Sequence, residues 1–310
     1  MGKQFNIRKD IFGMAKPGSA TITGFDAPTE YTPKQVPDYA FPEWGKDVVN
    51  WLAFMNEPLY ICGPTGAGKT SCLRWLCSKI NMPMYEVTGH SRLEFLELVG
   101  HNTVVNGSMS FVDGPLTMAM RSGGLFVINE FDLLDPSTAA GLNTILDGAP
   151  LIIPENGGEI VKPHPMFRFA ATANSNGAGD TTGAYQGVLR QNIAMMDRFV
   201  VLEAQYLQPH VEVALVKSIA NLPDEIVDRV VEYAGIVRDM FLGDFSKAGT
   251  STPIDVTFST RTVVRFARLL ELYGKGKGDA VEKALTLSLL NRVDPVQKSA
   301  LLELKQRVFG

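Results

Sequence analysis

Over the first two thirds of the chain, short runs that are apolar at every position alternate with longer stretches in which apolar residues return every three or four positions. "PLYICG", "MPMYEVTG", "GGLFVIN", "FRFAATAN" and "RFVVLEA" are of the first kind, "KTSCLRWLCSKI" and "PSTAAGLNTILDG" of the second. Strands that are apolar throughout are those buried on both faces, and strands separated by helix-length segments pair in parallel. The pattern therefore predicts βαβ units: an α/β sandwich whose parallel sheet is covered by helices. Another helix is predicted over 44–55. It follows an irregular arm over 17–44, rich in Pro, Gly, Thr and aromatic residues.

Past about Gln208 the periodicity is helical only, in "PHVEVALVKSIAN", "PDEIVDRVVEYAGIVRDMF", "STRTVVRFARLLELYG" and "DAVEKALTLSLLNRV". A small all-helical domain is expected there, with the Gly/Lys tract at 274–279 as a flexible loop. Two hairpins interrupt the α/β part. "HNTVVNGSMSFVDG" turns at Asn-Gly, and "APLIIPENGGEIVKPHP" turns around Asn156, Gly157 and Gly158. The predicted division is an arm at 1–44, an αβα domain with two inserted hairpins at 45–207, and a helical lid at 208–310.

Composition adds exclusions. The 310 residues are 45% hydrophobic and 20% charged, with a net charge of −4, so no broad attraction to nucleic acid or anionic membrane is expected. No apolar run approaches the roughly 20 residues that span a bilayer. The N-terminal stretch lacks the apolar core of a signal peptide. Cys62, Cys72 and Cys77 lack zinc-ligand spacing and read as buried free thiols, which suits a reducing, cytoplasmic setting.

Chemistry enters with "GPTGAGKT" at 63–70, a P-loop lying after an apolar strand and opening a helix. Gly63, Pro64, Thr65, Gly66, Ala67 and Gly68 would turn backbone N–H groups onto phosphates, helped by the helix N-terminus through Ser71. Lys69 would reach the β- and γ-phosphates of ATP, and the Thr70 hydroxyl would bind Mg²⁺. A Gly-rich turn with a chance Lys is the alternative; the flanking strand and helix argue against it.

The apolar run "LFVI" then ends in Asn129 and Glu130. In a P-loop ATPase the second buried strand delivers acids to the phosphates. Glu130 fits the general base on the attacking water. Asn129 stands on the magnesium side without a charge, so an Asp there would be expected to strengthen the metal site. Asp132 is a nearby acid that could supply the missing charge. Asn174, ending a third apolar run, could orient the water. Arg198, just before the last strand, suits a finger reaching a neighbour's γ-phosphate, with a surface pair to Asp197 as the alternative. Arg261 opens a helix of the second domain, where a cation is mildly unfavourable unless it meets an anion. Phe111 is expected exposed on the first hairpin, as a partner contact.

These motifs give the chain a resemblance to the MoxR-type AAA+ ATPases, and within them to the small ATPase subunits of aerobic cobaltochelatases. It runs from "IRKDIFGM" through the P-loop, "ELVGHNTV" and "KPHPMFRFAATANSNGAGDTTGAYQG" to "MDRF", "STRTVVRFA" and the closing "RVFG". The resemblance implies Asn174 as sensor 1, Arg261 as sensor 2 and a hexameric ring. It also implies a partner with a von Willebrand factor A domain and, in the cobaltochelatase case, Co²⁺ insertion into a corrin precursor. Asn129 departs from the family's Asp. A nucleotide-gated scaffold with little or no hydrolysis is therefore the second reading. A DNA-handling role is disfavoured by the acidic balance.

Overall fold

The computed structural model describes residues 2–37, 39–105, 107–179, 187–274 and 279–310. The "DTTGAYQ" part of the most specific sequence stretch, the Asn of the first hairpin's turn and most of the 274–279 loop lie outside the described residues. The chain forms two compact units. One holds Met1–Val36, Trp44–Pro64 and Lys69–Ala204; the other holds Pro37–Glu43, Thr65–Gly68 and Gln205–Gly310.

In the first unit, β1 (Lys3–Asn6) and β2 (Thr21–Gly24) pair antiparallel, with a single turn of π-helix between them. Part of the region expected to be irregular is thus a hairpin. Its alternation of exposed and buried residues over four positions was too short to stand out. Helix α1 (Gly45–Phe54) follows. Then come β3 (Leu59–Cys62), α2 (Lys69–Lys79), β4 (Met84–Thr88), α3 (Phe95–Val99), β5 (Gly100–Val105), β6 (Ser108–Asp113), α4 (Pro115–Ser122) and β7 (Leu125–Asn129). Next are α5 (Pro136–Gly141), α6 (Asn143–Leu146), β8 (Leu151–Ile153), β9 (Glu159–Val161), β10 (Arg168–Thr172), α7 (Ile193–Met196) and β11 (Val200–Glu203). The single helix expected over 136–148 is two short ones.

Strands β11, β3, β10, β7 and β4 form, in that order, one sheet whose neighbours all run parallel. Leu125 to Ile128 have no exposed surface, as the unbroken apolar run requires. Strand β10 lies between β3 and β7, so its C-terminal end falls between the P-loop and Glu130. The two hairpins are separate two-stranded sheets, β5–β6 and β8–β9. Beneath the C-terminal strand ends sits an aromatic cluster. Phe131 meets Tyr60 and Phe199 edge-on at 5.8 and 5.7 Å, and Phe199 lies 6.0 Å from Phe169. Phe131 directly follows Glu130 and Phe199 directly follows Arg198, so one apolar anchor locates the backbone of both.

The second unit holds α8 (Pro209–Ile219), α9 (Asp224–Phe241), α10 (Thr260–Tyr273), α11 (Ala280–Ser288) and α12 (Pro295–Phe309). Tyr233, Phe258 and Phe266 are fully buried in its core. A buried ion pair, Arg238 to Glu212 at 2.7 Å, fixes α9 to α8, and Arg238 also donates to the Phe258 carbonyl. Helix α12 was not among the helices read from the sequence, although Ala300, Leu301, Leu304 and Val308 form its buried stripe.

Candidate functional site

The P-loop leaves β3 through Gly63 at φ +143°, where a Cβ would stand 2.2 Å from the Ala204 carbonyl oxygen. Only glycine fits there. Gly66 and Gly68 also have positive φ. Within the second unit, a Cβ on Gly66 would meet Ser259 Cβ at 2.4 Å, and Tyr206 Oη is 3.0 Å from the Thr65 carbonyl oxygen, to which it donates. Lys69 is the first residue of α2, and its ammonium donates to the carbonyls of Gly63 and Pro64 at 2.7 and 3.1 Å.

A third bond from Lys69 Nζ reaches Asn174 Oδ1 at 3.0 Å. Asn174 Nδ2 in turn donates to Glu130 Oε2 at 2.8 Å. Three residues singled out from three separate segments are therefore joined in one row. Burial pushes the Lys69 ammonium down to about 8, against the charges of Glu130 and Asp132, which hold it up. Burial raises the Glu130 carboxyl, and the Asp132 charge raises it further, while Lys69 and the Asn174 amide oppose the shift. A carboxylate raised toward neutrality accepts a proton more readily, as a base on water must. Glu130 also adopts a left-handed backbone, φ 54° and ψ 44°, a conformation costing a non-glycine residue about 1 kcal/mol or more.

Asp132 does not lie with Asn129. It is fully buried, and its Oδ2 accepts the backbone N–H of Asn174 at 3.0 Å and of Ser175 at 2.9 Å. Its Oδ1 is buried without a hydrogen-bond partner among the described residues. The sequence could show an acid two residues after Glu130, but not that it clamps the end of β10.

Asn129 Oδ1 accepts from the hydroxyls of Thr70 and Thr172 at 2.6 and 3.0 Å, and its Nδ2 donates to Glu86 Oε2 at 3.2 Å. Thr172 and Glu86 were missed in the sequence; neither belongs to a motif, and only the pairing of β4 and β10 with β7 brings them in. The oxygen-only pair of the Thr70 hydroxyl and Asn129 Oδ1 suits Mg²⁺, a hard ion that takes few protein ligands and keeps water and phosphate oxygens.

Arg198 lies apart from this row. Its guanidinium holds Asp147 with bonds of 2.7 and 3.1 Å and donates to the Ala194 carbonyl at 2.6 Å. The alternative to a finger had been Asp197; the observed partner is Asp147, at the end of α6. Arg261 is an exposed residue in the first turn of α10, whose N-cap is Ser259. Phe111 corrects an expectation: it is half-buried, packs on the main core and would touch a Cβ at Gly100. Among the described residues of that hairpin, Val104, Met109 and Val112 are exposed, with Val104 and Met109 directly opposed. Ile152 and Ile160 form a matching exposed pair on β8–β9.

A five-stranded parallel sheet thus carries a P-loop after β3, an acid after β7 and an asparagine after β10, the strand between them. Residues 58–189 match the AAA domain of the dynein-related subfamily, and residues 212–308 match the CbbQ/NirQ/NorQ C-terminal domain. This combination is MoxR-type, and the chain belongs to the MoxR-type AAA+ ATPases. It is 27% identical to the aerobic cobaltochelatase subunit CobS of a Sinorhizobium species, over 97% of this chain and 90% of that protein. An uncharacterised protein of Staphylococcus saprophyticus is 30% identical, over 61% of this chain and 71% of its own. Among solved structures, a RuvB mutant of Thermotoga maritima aligns with TM-score 0.51 at 15% identity, covering 82% of this chain and 73% of that one. NtrX of Brucella abortus aligns with TM-score 0.52 at 16% identity, covering 85% and 58%. Both share the fold. Among the described residues, no helix is long and apolar enough to cross a membrane.

Proposed function

We propose that this ATPase couples ATP hydrolysis, in a ring of its own copies, to the remodelling of a protein partner. The observation that carries the reading is the row Lys69–Asn174–Glu130, closed by bonds of 3.0 and 2.8 Å between the start of α2 and the ends of β10 and β7. Lys69 would exchange its two carbonyl partners for phosphate oxygens. Asn174 would hold water against Glu130, and Glu130 would take its proton. Thr70 and Asn129 would hold Mg²⁺, which when bound offsets the charge of the phosphates. Arg198 would act across a subunit boundary, after releasing Asp147, and Arg261 would serve as sensor 2.

The hexameric ring, the von Willebrand factor A partner and a cytoplasmic setting belong to the same proposal, as does the division into an arm at 1–44, a core at 45–207 and a lid at 208–310. The relation to a cobaltochelatase subunit makes a metal chelatase one candidate complex. The test is steady-state phosphate release by the purified chain, alone and with an A-domain protein of the same genome. Lys69-dependent turnover that the partner alters is expected. Tight ATP binding and assembly with no phosphate release would favour the scaffold reading, and no ATP binding would overturn both.

A further inference from the structure

Asn129 holds its neighbours with two different ends. Its oxygen takes the hydroxyls of Thr70 and Thr172, and its amino group faces the Glu86 carboxylate. The surroundings fix that orientation, because a turned amide would set its oxygen against a carboxylate. Glu86 lies in β4, where Val127 is its register partner and Thr88 is that of Asn129. It reaches Asn129 along one face of the sheet. Its side chain is 22% exposed, and Arg74 of α2 grips both of its oxygens at 2.6 Å. A continuous chain therefore runs Arg74–Glu86–Asn129–Thr70, leaving α2 through Arg74 and returning to it at Thr70.

We propose that Glu86 is the acidic residue on the magnesium side of this site, acting as a positioning residue through the Asn129 amide. The inference rests on the ATPase reading above. It explains the amide: an Asp at 129 would face Glu86 across the gap now spanned by a hydrogen bond, and two adjacent carboxylates oppose each other's charge. With an amide, the charge stays one strand away. The bond from Nδ2 to a carboxylate draws electron density onto Oδ1, making it a stronger acceptor for the Thr70 hydroxyl and for water around a divalent cation. The expectation that an Asp at 129 would improve the metal site is thereby reversed, and the charge once assigned to Asp132 comes from β4. A plain surface pair of Glu86 with Arg74 is the competing account.

A double-mutant cycle separates the two. The wild type, Glu86→Gln, Asn129→Asp and the double variant are compared in two measurements: Tm without nucleotide or Mg²⁺, and the Mg²⁺ needed for half-maximal binding of a fluorescent, non-hydrolysable ATP analogue. Glu86→Gln is expected to raise that Mg²⁺ requirement about fivefold, the scale of losing one charge-assisted bond. Asn129→Asp is expected to melt below wild type, and the double variant to recover both properties. Simple additivity, an unchanged Mg²⁺ requirement in Glu86→Gln, or an Asn129→Asp protein as stable as wild type would overturn the inference. Failure of the wild type to bind the analogue at any Mg²⁺ concentration would instead remove the ATPase reading itself.

Discussion

Asn174 stands between Lys69 and Glu130, taking a hydrogen bond from the ammonium on its oxygen and giving one to the carboxylate from its nitrogen. A single amide thus reads both the P-loop cation and the candidate base. Replacing it by Ala should leave ATP affinity within a few-fold of wild type and lower kcat on the order of 100-fold. Glu130→Gln should bind ATP and hold it unhydrolysed. Equilibrium binding and single-turnover hydrolysis, measured on the same preparations, check both; unchanged turnover in either variant would remove that residue from the chemistry.

Asp132 should matter for the rate through Asn174. Its Oδ2 holds the two backbone N–H groups that set where the Asn174 side chain begins. Asp132→Asn keeps an acceptor there and should retain most of kcat. Asp132→Ala should lose roughly tenfold in kcat with little change in ATP affinity. Equal losses in both variants would point to the charge rather than the clamp.

The pH dependence of nucleotide binding should report Lys69. Its ammonium titrates near 8 because burial disfavours the charged form. A phosphate favours that form, so binding raises the pKa and takes up a proton. Affinity should be highest below pH 8 and fall above it, by up to about tenfold per pH unit. Calorimetry in buffers of different ionisation enthalpy would detect the proton uptake. For the protein without nucleotide the sign is opposite: the unfolded chain binds more protons above pH 8, so this residue's contribution to stability rises with pH there.

Arg198→Ala should abolish hydrolysis while leaving ATP binding intact, and mixed with wild type it should depress activity more steeply than its share of subunits. A proportional loss would argue against action across an interface. Asp147→Ala frees the guanidinium from its present pair and should leave ATP affinity unchanged.

On the first hairpin, Phe111 nearer the base and Met109 nearer the turn should respond differently. Phe111→Ala should cost about 2 kcal/mol of stability, since the ring packs on the core. Met109→Asp, at a position 73% exposed, should leave stability and basal ATPase near wild type and weaken any effect of a partner. Thermal melts beside partner-stimulated turnover distinguish the two.

The sheet, the P-loop and the row of Lys69, Asn174 and Glu130 were legible because Lys69 belongs to a contiguous motif and the other two follow unbroken apolar runs, all local signals. Glu86, Thr172 and Asp132 were not placed: what they do depends on which strands are neighbours, and strand order is not written in any one segment. Phe111 was misjudged because it shares a face with the exposed Met109, and how far along that face the core reaches depends on the elements packed against the hairpin's base. The β1–β2 hairpin lacked an alternation long enough to separate it from coil, whereas the stripe of Ala300, Leu301, Leu304 and Val308 in α12 was present and overlooked.

The ion pair of Arg198 with Asp147 has a mechanical side. Asp147 caps α6, and only three residues separate it from Leu151, the first residue of β8. Fully stretched, that tether spans at most about 14 Å. The tether is short, so Asp147 and the strand that carries the exposed Ile152, paired with Ile160, are near neighbours along the chain. A displacement of β8 that moved Asp147 would therefore alter the pair that holds the Arg198 guanidinium.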